Sequence, residues 1–187
     1  MKSKFVKKMT LSAMFLAMAV VFAMVSNNIP EIGNMLCPMH IPVIICGFLL
    51  GWKYAIFVGS LAPYLKFVLT GMPVLYPNCI AMSFELATYG LISGLLFKLF
   101  NKLSTNRFIS SYSTLIPTML IGRVVWGLAT FILLLFDSSK TITFVQYLKS
   151  AFVYSLPGIL LQLCIIPIIV YFLLKTSVFN NLIEESK

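Results

Sequence analysis

The sequence predicts an all-α integral membrane protein with six transmembrane helices and two loops on the outer side. Hydrophobic residues make up 60% of the 187 residues and charged residues only 10%, whereas a soluble domain has about 25% charged residues. The apolar runs are also continuous, without the alternation that is typical of membrane β-barrel strands. Composition and pattern together therefore indicate a polytopic helical membrane protein.

Six apolar stretches predict the helices of a single membrane domain covering residues 1–187. The first follows the basic segment Met1–Lys8, and because no convincing signal-peptide cleavage site follows, we interpret it as a transmembrane helix. The second and third are shorter than the roughly 20 residues that an upright helix needs, so we expect them to tilt, kink at Pro63 or extend into the adjoining loops. The predicted spans are 8–26, 41–52, 55–69, 78–97, 113–136 and 147–174.

Cationic residues fall mainly on one side of this predicted bundle. If the N-terminus is cytoplasmic, only Lys140 and Lys149 lie on the outer side, and the positive-inside rule then places both termini in the cytoplasm. The net charge of +9 therefore reflects membrane topology, and it is not evidence for nucleic-acid binding. We expect a multi-pass protein of the plasma membrane. The cytoplasmic set is Lys2, Lys4, Lys7, Lys8, Lys53, Lys98, Lys102, Arg107, Lys175 and Lys187.

Two loops rich in proline and glycine interrupt the apolar sequence on the predicted outer side. They are Asn27–His40 and Thr70–Pro77. Irregular backbone persists at membrane depth only where protein buries it or where it lines a cavity. We therefore predict that the two loops act as lids over a binding site that opens to the exterior.

Three ionisable residues, Lys66, Glu85 and Arg123, lie inside the predicted spans. Such residues are costly in a membrane and are functional candidates by default. Two compatible interpretations remain open: Glu85 pairs with Arg123 or Lys66 to join two helices, or one of these charges meets a polar ligand. Among the other candidate binding residues, Asn78 and Gln162 could add hydrogen bonds to a ligand. Tyr89 and Trp126 could cover a ligand or pack in the bundle, and His40 could contact a ligand or hold loop backbone.

No catalytic or metal-binding motif accompanies these residues. The chain has no phosphate-binding loop, GxSxG, HExxH or paired-carboxylate pattern, so we expect no ATP hydrolysis and no catalytic residues. The four cysteines lack the CxxC spacing of metal sites and lie mostly beside apolar segments, so we predict no metal and no cofactor.

Several motifs occur together along nearly the whole chain. Ala13-x-x-x-Ala17 follows the basic N-terminus, and the two loops contain Pro38-Met-His-Ile-Pro42 and Leu69-Thr-Gly-Met-Pro73, the latter followed by Phe84-Glu-Leu-Ala-Thr-Tyr-Gly90. In this combination the chain resembles the substrate-binding S components of energy-coupling factor (ECF) vitamin transporters, in the branch associated with pantothenate and with pyridoxine or hydroxymethylpyrimidine. Lys53 differs from the pattern of this family, in which a smaller or more apolar residue is expected in the turn Gly51-Trp52-Lys53-Tyr54.

This resemblance implies a binding subunit of an ABC-type importer and no enzyme. It implies that one vitamin binds under the outer loops, and that Ala13 and Ala17 dock on a transmembrane coupling subunit. Two ATPase subunits would then drive a toppling of the S component that carries the vitamin inward. Small residues four apart also serve ordinary helix packing within one subunit, which is the alternative for Ala13 and Ala17.

The charge balance of the candidate site favours an anionic vitamin. Lys66 and Arg123 against Glu85 leave one net positive charge if all three point inward, and a carboxylate such as pantothenate would balance it. Pyridoxine or a hydroxymethylpyrimidine would instead use Glu85 and Asn78 as hydrogen-bonding partners.

Two other classes of membrane protein are weaker alternatives. An integral membrane enzyme would need a second ligand or base besides the single histidine. A solitary secondary carrier would normally have more spans and an internal repeat.

Overall fold

The computed structural model describes residues 2–27, 37–103, 107–136 and 156–175, and it confirms the predicted all-α class. Residues 28–36 of the first predicted loop and residues 147–155 of the sixth predicted span lie outside the described residues. The described elements are helices α1 (Lys2–Asn27), α2 (His40–Leu50), α3 (Trp52–Thr70), a π-helical turn (Leu75–Cys79), α4 (Ile80–Leu103), α5 (Arg107–Leu135) and α6 (Leu156–Lys175).

These helices are not equivalent membrane spans. Four described stretches are long and apolar enough to cross a bilayer, namely Phe5–Ser26, Leu75–Leu103, Phe108–Leu135 and Leu156–Leu173. Helix α3 has 19 residues, and a helix of that length is about 28 Å long, close to the bilayer core of about 30 Å. Helix α2 has only 11 residues, all of them buried. It is therefore a half-length helix enclosed by the bundle, which differs from the predicted short span that tilts or extends.

Glycine ends both α2 and α3. Gly51 has φ +90 and separates the two helices, and Gly71 has φ +71 and donates its backbone N–H to the carbonyl of Phe67 at 2.8 Å. A positive φ is strained for residues with a side chain, so glycine is the usual residue at such helix ends. The residues directly after Gly51, including Lys53, form the first turn of α3.

Helix α4 lies at the centre of the bundle and approaches α3 backbone to backbone. A Cβ atom on Gly90 would lie 2.5 Å from the carbonyl of Ala55, and one on Gly94 would lie 2.3 Å from the amide nitrogen of Trp52. Small residues four apart allow this close approach between membrane helices. Helix α4 also packs against α2 and α5, so it connects both predicted loops to the core.

The bundle has two chemically different ends. The start of α1, the α2–α3 junction and the second half of α4 meet at one end, which we call the basic end because Lys8, Lys53 and Lys98 lie there. Phe108 stacks on Tyr171 at 4.6 Å, which joins the start of α5 to the end of α6. The opposite end, where α2 begins and α3 ends, is called the loop end.

Candidate functional site

Glu85 is the centre of a polar cluster buried near the loop end. Its side chain is 2% exposed, and Nη1 of Arg123 forms an ion pair with Oε1 at 3.2 Å. The hydroxyl of Tyr89 donates to the same oxygen at 3.0 Å, and Nε2 of His40 faces it at 3.6 Å. These contacts gather three polar side chains from α2, α4 and α5 around one carboxylate oxygen.

His40 joins the start of α2 to this cluster. Its Nδ1 lies 2.8 Å from the carbonyl of Cys37, and because a carbonyl only accepts, Nδ1 carries a proton. Nε2 is buried and too far from Glu85 for a hydrogen bond, so it has no partner among the described residues. It is an acceptor when the ring carries one proton and a donor when the ring carries two.

Cys37 joins α2 and α6 through its backbone carbonyl. Its carbonyl accepts a hydrogen bond from Nε2 of Gln162 at 3.3 Å as well as from His40, and its φ is +43, which is uncommon for a residue with a side chain. Burial acts to raise the pKa of the Cys37 thiol, but His40 and Arg123 outweigh it and hold this pKa below its usual value. The polar contacts of Cys37 thus offset the strain of its backbone.

Arg123 reaches the cluster from the middle of α5. Its side chain is 8% exposed, and besides the Glu85 ion pair it places Nη2 3.9 Å from the sulfur of Cys37. Its Nε is buried without a hydrogen-bond partner among the described residues. A buried unpaired donor costs about 1–3 kcal/mol, so this edge of the guanidinium is a second free contact for a ligand.

Helix geometry explains why Tyr89 belongs to the cluster. Glu85 and Tyr89 are four residues apart on α4 and therefore share one face. The ring of Tyr89 lies edge-on to His40, with centroids 5.1 Å apart. On its other side, a Cβ atom at Gly122 would lie 2.2 Å from the ring, so glycine is required there for Tyr89 to keep this position.

Lys66 is a buried cation one turn before the end of α3. It is 9% exposed and makes no salt bridge to a carboxylate within the described part of the chain. Its charge lies within electrostatic range of Cys37, which places it on the same side of the bundle as the cluster. Of the two ion pairs left open by the sequence, the structure therefore forms Glu85–Arg123 and leaves the charge of Lys66 uncompensated by these residues.

The structure brings some of the predicted binding residues together and separates others. Asn78 lies exposed in the π-helical turn, away from the Glu85 contacts, and Trp126 is half-buried on α5. Ala13 and Ala17 are exposed on α1, far along the helix from the loop end. The predicted binding residues that lie next to Glu85 or Cys37 are His40, Tyr89, Arg123 and Gln162, and Lys66 acts on Cys37 only through its charge.

Two residues of the cluster had no functional assignment from the sequence. Cys37 contributes mainly a backbone carbonyl, which any residue type has, so its position before Pro38 and the α2 start was the only available signal. Gly122 acts through the absence of a side chain beside Tyr89. The sequence feature that could have pointed to Gly122 is its position next to the charged Arg123 in an apolar span.

Comparison with known families agrees with this architecture. A family model described as "ECF transporter, substrate-specific component" matches residues 7–178. The chain belongs to this family. No curated protein and no solved structure was found to match it.

Membership of the ECF substrate-specific components has direct consequences. The chain is a membrane-embedded, multi-pass transport subunit that binds a small-molecule substrate and works with an ECF module, and it is not an enzyme. The resemblance inferred from the Ala13–Ala17 motif and the two loops is thereby confirmed at the level of the family.

Proposed function

We propose that this S component binds a small anionic vitamin, with pantothenate as the substrate, at the Glu85 cluster near the loop end. The observation that carries the proposal is the buried Lys66, whose positive charge meets no carboxylate among the described residues. A buried charge is costly unless a counter-charge accompanies it. A substrate carboxylate would supply that counter-charge when it binds.

The charge balance of the cluster supports an anion in either state of His40. Arg123 and Glu85 neutralise each other in their 3.2 Å ion pair. Lys66 then leaves one positive charge, and a doubly protonated His40 would raise the total to two. An uncharged substrate would leave this charge uncompensated, so a carboxylate fits the cluster better.

The free polar atoms of the cluster support a substrate that also carries hydroxyl or amide groups. Nε of Arg123 can donate, and the carboxylate of Glu85 accepts hydrogen bonds. Pyridoxine or a hydroxymethylpyrimidine is the second candidate, since a hydroxymethyl group could donate to the Glu85 carboxylate. This candidate makes no use of the charge on Lys66.

A calorimetric titration of the purified chain with a vitamin panel tests the proposal. We expect tight binding of pantothenate, and about 10–100-fold weaker binding in Lys66→Gln, because a hydrogen bond to a charged group contributes about 1.5–3 kcal/mol. Lys102→Gln removes an exposed lysine at the end of α4 and should leave the affinity unchanged. Tight binding of an uncharged ring compound, together with no detectable binding of pantothenate, would overturn the assignment.

We further propose that the ECF module consists of a transmembrane coupling subunit and two ATPase subunits, with both termini of this chain in the cytoplasm. The gathering of Lys8, Lys53 and Lys98 at one end of the bundle supports this orientation through the positive-inside rule. The loop end then faces the exterior, where the vitamin enters. The exposure of Ala13 and Ala17 supports their use as the docking surface.

A further inference from the structure

A cavity of about 200 Å³ opens at the basic end, remote from the Glu85 cluster. It lies where the start of α1, the α2–α3 junction and the second half of α4 meet. Substrate pockets usually enclose about 300–1,000 Å³, so this cavity suits a smaller group. The residues that the argument uses are Lys8, Phe48, Trp52, Lys53, Phe97 and Lys98.

The floor of the cavity is apolar. Phe48 of α2 stacks on Phe97 of α4 with ring centroids 4.6 Å apart, and each is 3% exposed. Gly94 lets the start of α3 approach the backbone of α4 closely, and both Gly94 and Trp52 line the cavity. A purely hydrated anion would gain nothing from such a floor.

The rim of the cavity is cationic. Lys8, Lys53 and Lys98 reach it from three different helices, and the one carboxylate side chain within the described residues, Glu85, belongs to the other end of the bundle. The first turn of α3 has no side-chain cap, so its backbone N–H groups add to the attraction for an anion. The rim therefore attracts a negatively charged group.

The depth of these lysines corresponds to the level of lipid headgroups. Lys8 lies three residues from the start of its span and Lys98 five residues from the end of its own, which is about 5–8 Å along a helix. Trp52 is 38% exposed beside them, and its ring lies 5.5 Å from Nζ of Lys53. Tryptophan and lysine are typical anchors at this level.

We propose that this cavity binds the headgroup of an anionic phospholipid from the leaflet at the basic end. The phosphate lies between the lysines of the rim, and the glycerol and upper acyl chain cover the apolar floor. Basic pockets between transmembrane helices on the cytoplasmic side are suited to such headgroups. The site lies at the opposite end of the bundle from the vitamin site and shares no residue with it, so either assignment can fail without the other.

Native mass spectrometry of the purified chain in mild detergent tests the proposal, with dioleoyl phosphatidylglycerol and dioleoyl phosphatidylcholine as probes. We expect phosphatidylglycerol to bind more tightly. The triple variant Lys8→Gln, Lys53→Gln, Lys98→Gln should weaken its binding about 100-fold, since each interfacial lysine contributes about fivefold. Lys53→Gln alone, at an exposed position, should weaken it about fivefold.

The matched control changes three exposed lysines that do not line the cavity, as Lys7→Gln, Lys102→Gln, Lys175→Gln. It removes the same charge and should change lipid affinity less than about twofold. Equal losses in both triple variants, or equal binding of the two lipids by the unaltered chain, would overturn the proposal. Glycerol 3-phosphate binding as tightly as phosphatidylglycerol would indicate a soluble anion instead. If the triple variant of Lys8, Lys53 and Lys98 binds lipid normally but fails to assemble with the ECF module, the cavity binds a protein partner and the lipid proposal is wrong.

Discussion

A single carboxylate oxygen, Oε1 of Glu85, carries the polar contacts of Arg123 and Tyr89 and faces His40. Removing one partner of a buried ion pair leaves an uncompensated charge, whereas removing both does not. At the scale of single residues, the stability of the cluster and its use in binding can therefore be separated.

The first prediction concerns the Glu85–Arg123 ion pair. Glu85→Gln or Arg123→Gln alone should lower the free energy of unfolding by about 3–5 kcal/mol, while the double variant should regain most of this loss. Thermal unfolding in detergent measures the stability, and calorimetry measures vitamin affinity, which should stay low in the double variant. Lys66→Gln is the control, since it removes a buried charge without a described counter-charge and should not lower the melting temperature. Full recovery of affinity in the double variant would show that the pair serves stability alone.

At the scale of elements, α1 presents different residues to the bundle and to its surroundings. Ala19 and Ala23 are almost fully buried, whereas Ala13 and Ala17 are exposed. An exposed small-residue surface permits close approach of a further helix. The second alanine pair therefore packs α1 inside the bundle, and partner docking by the first pair stays a prediction.

The second prediction tests this docking surface. Ala13→Trp or Ala17→Trp should abolish vitamin uptake while leaving vitamin binding by the isolated chain intact, because the added ring blocks helix approach without entering the bundle. Uptake assays and calorimetry measure the two effects. Met18→Trp is the matched control and should leave uptake unchanged: Met18 is 38% exposed and lies about 140° around the helix from Ala13 and about 100° from Ala17. Loss of binding together with uptake in the alanine variants would show that these residues pack internally.

The third prediction concerns the hinge of the second loop. Gly71 has a positive φ and open space around its missing Cβ, and the loop beyond it is tied to α5 because the hydroxyl of Tyr76 donates to the carbonyl of Leu133. Gly71→Val should therefore act through backbone strain alone, and it should weaken binding mainly through faster release.

Stopped-flow displacement of bound vitamin measures that release. Gly51→Val is the matched control, since Gly51 also has a positive φ and open surroundings but lies at the basic end. It should reduce stability without changing the release rate. Equal release rates in both variants and in the unaltered chain would mean that the second loop is a fixed cover.

At the scale of the whole molecule, the bundle separates a buried polar cluster at one end from exposed cations at the other. Substrate-specific components of this family work with an ECF module, and we expect that module to supply the energy for uphill transport.

The fourth prediction follows from this dependence. Proteoliposomes containing the chain alone should bind the vitamin without accumulating it, whereas vesicles that also contain the ECF module and ATP should accumulate it. Radiolabelled vitamin that is retained after washing but released when a pore-forming peptide permeabilises the vesicles measures the accumulated fraction. Accumulation by the chain alone would indicate a solitary carrier.

Much of the fold was predictable from local sequence. The apolar runs, together with Gly51, Gly71 and the basic segments beside the helices, predict the helical class and the approximate helix positions. The half-length, fully buried α2 was not predictable, because a short apolar run is equally typical of a tilted span and of a core helix. The position of Gly90 and Gly94 against α3 likewise depends on which helices are neighbours.

The sequence by itself determined the membrane class, the resemblance to S components and the set of intramembrane charges, because hydrophobicity and charge are properties of each residue wherever its neighbours lie. Only the tertiary structure decided that Glu85 pairs with Arg123 and not with Lys66, and that Cys37 joins His40 to Gln162. The physical reason is that such contacts depend on the relative depth and rotation of separate helices. Those quantities are set by the packing of the whole bundle and leave no pattern along the chain.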